Sequence, residues 1–207
     1  MVYMAKIKFT KGELKSKRDA LKRFERYLPI LQLKKQQMQL EIQRAHQRLN
    51  QKIEEINKLE KRINEWAGLL KEPGNYVSSW IKPKSIVISW FNIAGVDIPL
   101  FERVEFEEAE YDLFFTPLWV DIAIIVLRKF TVLLEEKNIL NKQLEILSRE
   151  LRITNQRVNL FEKVKIPECV ENIRRIRIYL GDQQAGAVGR SKIAKKKMTR
   201  QEEVSLI

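Results

Sequence analysis

The chain has 207 residues, 44% of them hydrophobic and 32% charged, with a formal net charge of +12. It holds only 7 glycines and 6 prolines, too few for the many turns of a sandwich or barrel. Cys169 is the one cysteine, so no intramolecular disulfide can form and a reducing, cytoplasmic setting fits. No apolar stretch follows the first lysines, so no signal peptide is expected.

Residues 1–72 make the first predicted element, a long helix with 18 Lys and Arg against 9 Asp and Glu. Leu14, Leu21, Leu28, Ile42, Leu49, Ile56, Ile63 and Leu70 recur every seven residues, interrupted at Lys35. Phe24, Leu31, Met38, Ala45, Leu59 and Trp66 make the companion series, interrupted at Lys17 and Lys52. Apolar residues at this 3–4–3–4 spacing form one stripe that a second helix must cover, and the pair then supercoils left-handedly. Roughly 60 residues at about 1.5 Å each predict a rod of about 90 Å. Pro29 lies inside this element and predicts a bend.

Residues 73–117 form the middle region, with 3 Lys and Arg against 7 Asp and Glu. The EPGNY run (Glu72–Tyr76) ends the first helix with Pro and Gly. SIVISWF (Ser85–Phe91) and VDIPLFERVEF (Val96–Phe106) are β-branched and aromatic and flank the turn-like NIAG. They predict a β-hairpin, its second strand weakened by Pro99, that is too small for a core of its own.

Residues 118–197 make the second long helix. Its most apolar run, Leu118–Leu134, is interrupted by Asp121, Arg128 and Lys129. A membrane span needs about 20 uninterrupted apolar residues, so a buried helix face is the reading. Val126, Leu133, Leu140, Leu147 and Phe161 hold one heptad series, with Thr154 interrupting; Phe130, Leu144, Leu151 and Val158 hold the other, with Lys137 interrupting. Pro167 predicts a kink. Beyond it the seam resumes one residue out of phase, as Ile166, Cys169, Ile173, Ile176 and Leu180. Residues 198–207 are polar and are expected to be a disordered tail. The fold class is therefore all-α: a long antiparallel coiled coil of the N- and C-terminal helices around a small β-hairpin.

Reactive chemistry is absent from this pattern. His46 lies in QRAHQRL on neither seam series, which reads as a surface histidine. Cys169 lies on an apolar face and reads as a packed thiol. The carboxylates of EFEEAE (Glu105–Glu110) alternate with Phe106 and Ala109 and read as a solvated face, not a metal site. No GxxxxGK[ST], CxxC or HExxH spacing occurs. No catalysis, cofactor or metal is expected.

The ends of the chain are basic. Arg174, Arg175 and Arg177, with Arg190, Lys192, Lys195, Lys196 and Lys197, could neutralise phosphates, or they could solvate a helix near its C-terminus. No aromatic platform accompanies them, which counts against nucleic acid. Gly181, Ala185, Gly186, Ala187 and Gly189 weaken the helix by up to about 1 kcal/mol per glycine. They suit either a fraying end or a slim tip enclosed by other proteins.

FTKGELKSKRDALKRFERYLPILQLKK, NIAGVDIP, VNLFEKVKIPECVENIRRI and KIAKKK occur in that order along the chain. In these stretches it resembles the D subunits of V-type rotary ATPases, and a bacterial member in particular. The resemblance implies a non-catalytic central-stalk shaft, peripheral on the cytoplasmic side of the membrane. It would couple ATP hydrolysis or synthesis in the A/B catalytic ring to ion translocation by rotating inside that ring. The F-subunit of the stalk and a socket subunit at the membrane ring are the other implied partners, with no nucleic acid and no membrane insertion. The expected ring contacts are Lys11, Glu13, Lys15, Arg174, Arg175, Arg177, Gln183, Gln184, Arg190 and Lys192. Pro29 and Pro167 would bend the shaft. Its seam would be Leu21, Leu28, Ile42, Leu49, Ile56, Ile63, Leu133, Leu140, Leu147, Val158, Ile173 and Ile176. The competing readings are a free-standing basic coiled coil on nucleic acid or anionic membrane, and a purely structural adaptor.

Overall fold

The computed structural model of the chain describes residues 8–68, 80–108, 117 and 119–205, the last seven of these as backbone. In chain order it contains helix α1 (Lys11–Trp66), strands β1 (Pro83–Ile93) and β2 (Val96–Phe106), helix α2 (Trp119–Leu160), a π-helical turn (Phe161–Lys165) and helix α3 (Ile166–Ser205). The Glu72–Tyr76 turn and the last residues of the first heptad series lie outside the described residues. Among the described residues, no helix is long and apolar enough to cross a membrane. The chain divides into two compact units, Met1–Gln32 with Gln156–Ile207, and Leu33–Asn155.

In the second unit, the later part of α1 runs antiparallel to α2. Met38 and Leu147 are almost fully buried in one cluster with Ile93, Val96 and Ile98 of the strands. Each such side chain contributes up to about 1.5–3 kcal/mol of transfer free energy. Lys52, an interruption of the heptad series, is not wasted there: its ammonium bridges Glu136 of α2 and Glu55 of its own helix, both at 3.2 Å. Burial lowers the Lys52 pKa, but hydrogen bonds to Glu136 and Glu55 outweigh it and the net shift is upward. Arg128, an interruption of the apolar run, donates to the carbonyls of Trp80 and Glu107 at 3.0 and 2.6 Å. Its guanidinium also lies over the Phe106 ring, 5.1 Å from the centroid. One cation therefore ties α2 to the segments on both sides of the hairpin.

The strands pair antiparallel from Pro83↔Phe106 to Ile93↔Val96, with irregularities between Pro83 and Ser85 and between Val87 and Ile88. Ala94 and Gly95 close the hairpin with φ of 52° and 78°. Positive φ at both central residues matches the right-handed twist of the strands. The Asn92 side-chain Oδ1 accepts from the Gly95 N–H at 2.9 Å, and its Nδ2 donates to Asp97 Oδ1 at 2.6 Å. Pro99 does not end β2, which continues to Phe106. In a two-stranded sheet each strand has a free edge, where a missing N–H costs no ladder bond. The carbonyl of Pro99 accepts instead from the buried Gln143 amide of α2. The hairpin has no separate core and packs on the coil.

The first unit begins at a capped helix end. Thr10 Oγ1 accepts from the Glu13 N–H at 3.2 Å, and the Thr10 carbonyl accepts from Leu14. From there, α1 runs unbroken through Pro29. Its partner runs antiparallel, as two aromatic pairs show: Phe9 with Tyr179 and Phe24 with Phe161, each at 5.0 Å between centroids. Val158, Cys169, Ile173 and Ile176 are buried in this unit.

The one-residue phase slip in the second heptad series has a structural origin just before Pro167. The Ile166 N–H bonds to the carbonyl of Phe161, five residues back, and Phe161–Lys165 is a π turn. Such a turn accommodates one extra residue, which advances everything downstream by about 100°. Without it, Lys165, Glu168 and Arg175 would take the seam positions of Ile166, Cys169 and Ile176. The wide turn also eases the contact between the Pro167 ring and the preceding turn, where no N–H is available. The helix then continues to Ser205, past Lys197 and into the stretch expected as a disordered tail.

The π turn and the hairpin can each be tested. Deleting Lys163 together with Pro167→Ala should replace the π turn with regular α-helix and keep Ile173 and Ile176 in the seam. A single cooperative melt near that of the parent chain is expected. Deleting Arg149 should instead move Leu151, Thr154 and Val158 off the seam, at about 1.5–3 kcal/mol per lost apolar burial, and broaden the melt; equal effects of the two deletions would refute the phase argument. In the hairpin, the Ser85 hydroxyl and then Arg103 hold the exposed Glu105 carboxyl below its ordinary pKa. A lowered folded-state pKa gives stability that is present above the ordinary carboxylate value and is lost as pH falls through the folded value. Ser85→Ala should therefore raise the Glu105 midpoint in an NMR titration; an unmoved midpoint would contradict the assignment.

Candidate functional site

The charge of the chain is not shared between its two units. Residues 1–32 and 156–207 carry 21 Lys and Arg against 9 Asp and Glu, a net +12. Residues 33–155 carry 18 against 18 and are neutral. The whole excess therefore belongs to the unit built from the two chain ends. A cationic surface of this kind draws anionic partners and raises their association rate.

Some of these cations pair with carboxylates among the described residues. Glu13 pairs with Lys17 at 3.5 Å and Glu168 with Lys165 at 3.4 Å. Glu171 takes Arg174 at 3.0 Å and Arg175 at 2.9 Å. Hydrogen bonds from Arg175 and then Arg174 lower the Glu171 pKa. Lys15, Arg18, Lys22 and Arg177 have no carboxylate partner among the described residues. Lys11, Gln184 and Lys192 are exposed as well. The Gln183 amide donates to the Tyr179 hydroxyl at 3.0 Å. These groups make a charged exterior; they do not converge on a reaction centre.

The glycine-rich stretch remains helical. A Cβ at Gly181 or Gly189 would meet nothing within 4 Å, and one at Gly186 would meet only the Arg190 guanidinium at 3.4 Å. Among the described residues, the slim profile is therefore not used by packing.

Of the expected seam residues, Ile56, Ile63, Leu133, Leu140, Leu147, Val158, Ile173 and Ile176 are buried, whereas Leu21, Leu28, Ile42 and Leu49 are half-buried. Gln143, Thr154 and Asn172 are buried polar residues that an apolar heptad search passes over. His46 is exposed. Cys169 is free and buried, and burial pushes its thiol pKa up, away from the reactive thiolate. The same heptad search misses Val170 and Ile178 because they sit off the seam. They are 50% and 56% exposed on the basic unit, and their spacing of eight residues along α3 is the signal that could have found them.

The sequence matches the family model described as the ATP synthase D-subunit over residues 13–196. It is 49% identical over 203 residues to the V-type ATP synthase D-subunit of Borreliella burgdorferi, covering 98% of this chain and 100% of that one. The corresponding protein of Chlamydia muridarum is 34% identical over 202 residues, with 96% and 99% covered. That of Chlamydia caviae is 32% identical over 203 residues, with 97% and 98% covered. A paired-helix chain with a docked hairpin and a match of this extent belongs to the ATP synthase D-subunit family.

Proposed function

We propose that this chain is the central-stalk shaft of a V-type rotary ATPase, a non-catalytic subunit that turns inside the ring of A and B subunits. The observation that carries the reading is its likeness, along almost the whole chain, to the D subunits of V-type ATP synthases. The segregated charge supports an orientation, with the basic unit as the part enclosed by the ring. The hairpin unit then lies towards the membrane, near the F-subunit and the socket subunit, on the cytoplasmic side. A shaft that presents unequal faces biases each catalytic site between open and closed states, since only differential contacts shift an equilibrium. In this way it couples ATP turnover to ion translocation.

The first test is recovery of the tagged chain from native membrane extract after nuclease treatment, in about 0.2 M salt, where contacts made only through phosphates are weak. Nucleotide-binding A and B subunits with a small F-like partner are expected. Binding to nucleic acid in their place would overturn the proposal in favour of a free-standing basic coiled coil. The electrostatic part has its own prediction. Arg174→Glu, Arg175→Glu and Arg177→Glu together should weaken ring binding about tenfold at low ionic strength, with the difference shrinking as salt rises. Equal binding at low salt would remove the electrostatic argument.

A further inference from the structure

The basic unit carries a groove of about 760 Å³ on one side of its helix pair. From α1 it takes Arg18, Leu21, Lys22 and Glu25, and from α3 it takes Val170, Ile173, Arg174, Arg177 and Ile178. Both sets follow the i, i+3, i+4, i+7 spacing of a single helix face, so two parallel ridges bound the groove. Its floor is apolar: Ile173 is buried, whereas Val170 and Ile178 are 50% and 56% exposed among the described residues. Arg18, Lys22 and Arg177 stand on the rim without a carboxylate partner among the described residues. Glu25 is the one acid in the lining that could oppose them.

We infer that this groove seats an acidic amphipathic helix of a surrounding subunit, which would turn the pair locally into a three-helix bundle. The inference rests on the reading of this unit as the part enclosed by the catalytic ring. Eight or nine residues per ridge give a groove of about 12 Å, or two helical turns. The occupant therefore presents apolar side chains at i, i+3 or i+4, and i+7 to the Val170–Ile178 floor. Asp or Glu residues flank that stripe and meet Arg18 and Lys22 on one rim and Arg177 on the other. A basic or uniformly apolar helix would leave three cations against a partner with no compensating charge, which disfavours it. This is an interaction surface distinct from the charge of Arg175 or of the lysine-rich end of α3.

The test uses the full chain within the assembled complex, with a photo-crosslinking benzoylphenylalanine at position 170 or 178. Mass spectrometry should place the adduct in a ring-subunit peptide with apolar residues at helical spacing between Asp and Glu. An adduct in a basic or non-helical segment, or no adduct in an assembled complex, would overturn the inference and leave the shaft reading intact. If the unmodified chain recovers no ring subunits, the shaft reading itself fails and this inference falls with it. As a second measurement, Val170→Glu with Ile178→Glu should lower ring recovery about tenfold at low salt, by setting like charges against each other. Val170→Leu with Ile178→Leu should retain it. Both positions are half exposed, so the two variants should melt like the parent. Equal ring recovery by the glutamate and leucine pairs would also overturn the inference.

Discussion

Everything else in this molecule depends on one requirement: neither long helix can hide its apolar stripe without the other. An isolated helix loses the entropy of its ordered backbone and leaves the stripe in water, so its stability is marginal. Pairing removes Met38, Leu147 and Ile176 almost wholly from solvent. The demand reaches down to single residues. Where the apolar repeat slips by one position, the backbone takes a π turn at Phe161–Lys165, and Ile173 and Ile176 return to the seam. A local loss of regular hydrogen bonding costs less than facing charged side chains into an apolar interface.

Polar groups enter that interface only where they have partners. Lys52 is held between Glu136 and Glu55, and the Gln143 amide reaches the carbonyl of Pro99. Among the described residues, no buried side-chain nitrogen or oxygen lacks a hydrogen bond. These contacts add less to stability than the apolar seam does, because ion pairs and hydrogen bonds replace interactions with water. They do add selectivity: a slipped pairing would strand Lys52 or Gln143 without its partner. The same logic joins the hairpin to the coil, since Ile93, Val96 and Ile98 share a cluster with Met38 and Leu147.

Charge is organised separately from packing. The unit with the hairpin is neutral, and the unit made from the chain ends carries the full excess of positive charge. Concentrated cations repel one another and weakly oppose folding. An enclosing partner with acidic groups, as proposed above, would offset that repulsion. Gly181 and Gly189 of α3, where an added Cβ would meet nothing within 4 Å, would fit the same setting. On the proposed reading, the surface of the basic unit serves assembly and its interior serves packing.

Much of this is legible in the residues because it is periodic or local. Seven-residue spacing identifies the paired helices, NIAG identifies the hairpin turn, and Lys11-Gly12-Glu13-Leu14 with the Val158–Ile176 stretch carries the family resemblance. The phase slip itself is readable from Ile166, Cys169 and Ile173, but the residues point to a kink at Pro167 and not to the π turn before it. A π turn involves which carbonyl an N–H selects, and no residue type announces that choice. Pro99 weakens its strand less than its residue type suggests, because the penalty depends on whether the strand has a neighbour on that side. Arg128 and Lys52 look like interruptions, since their partners lie far away along the chain. By itself, then, the sequence determined the fold class, the family and the basic character of the chain ends, all of which follow from nearby or regularly spaced residues. Only the tertiary structure decided how distant residues meet: the Lys52–Glu136 pair, the Gln143–Pro99 bond, and the groove between Arg18–Glu25 and Val170–Ile178. Those features depend on register between helices, which is set by packing and not by composition.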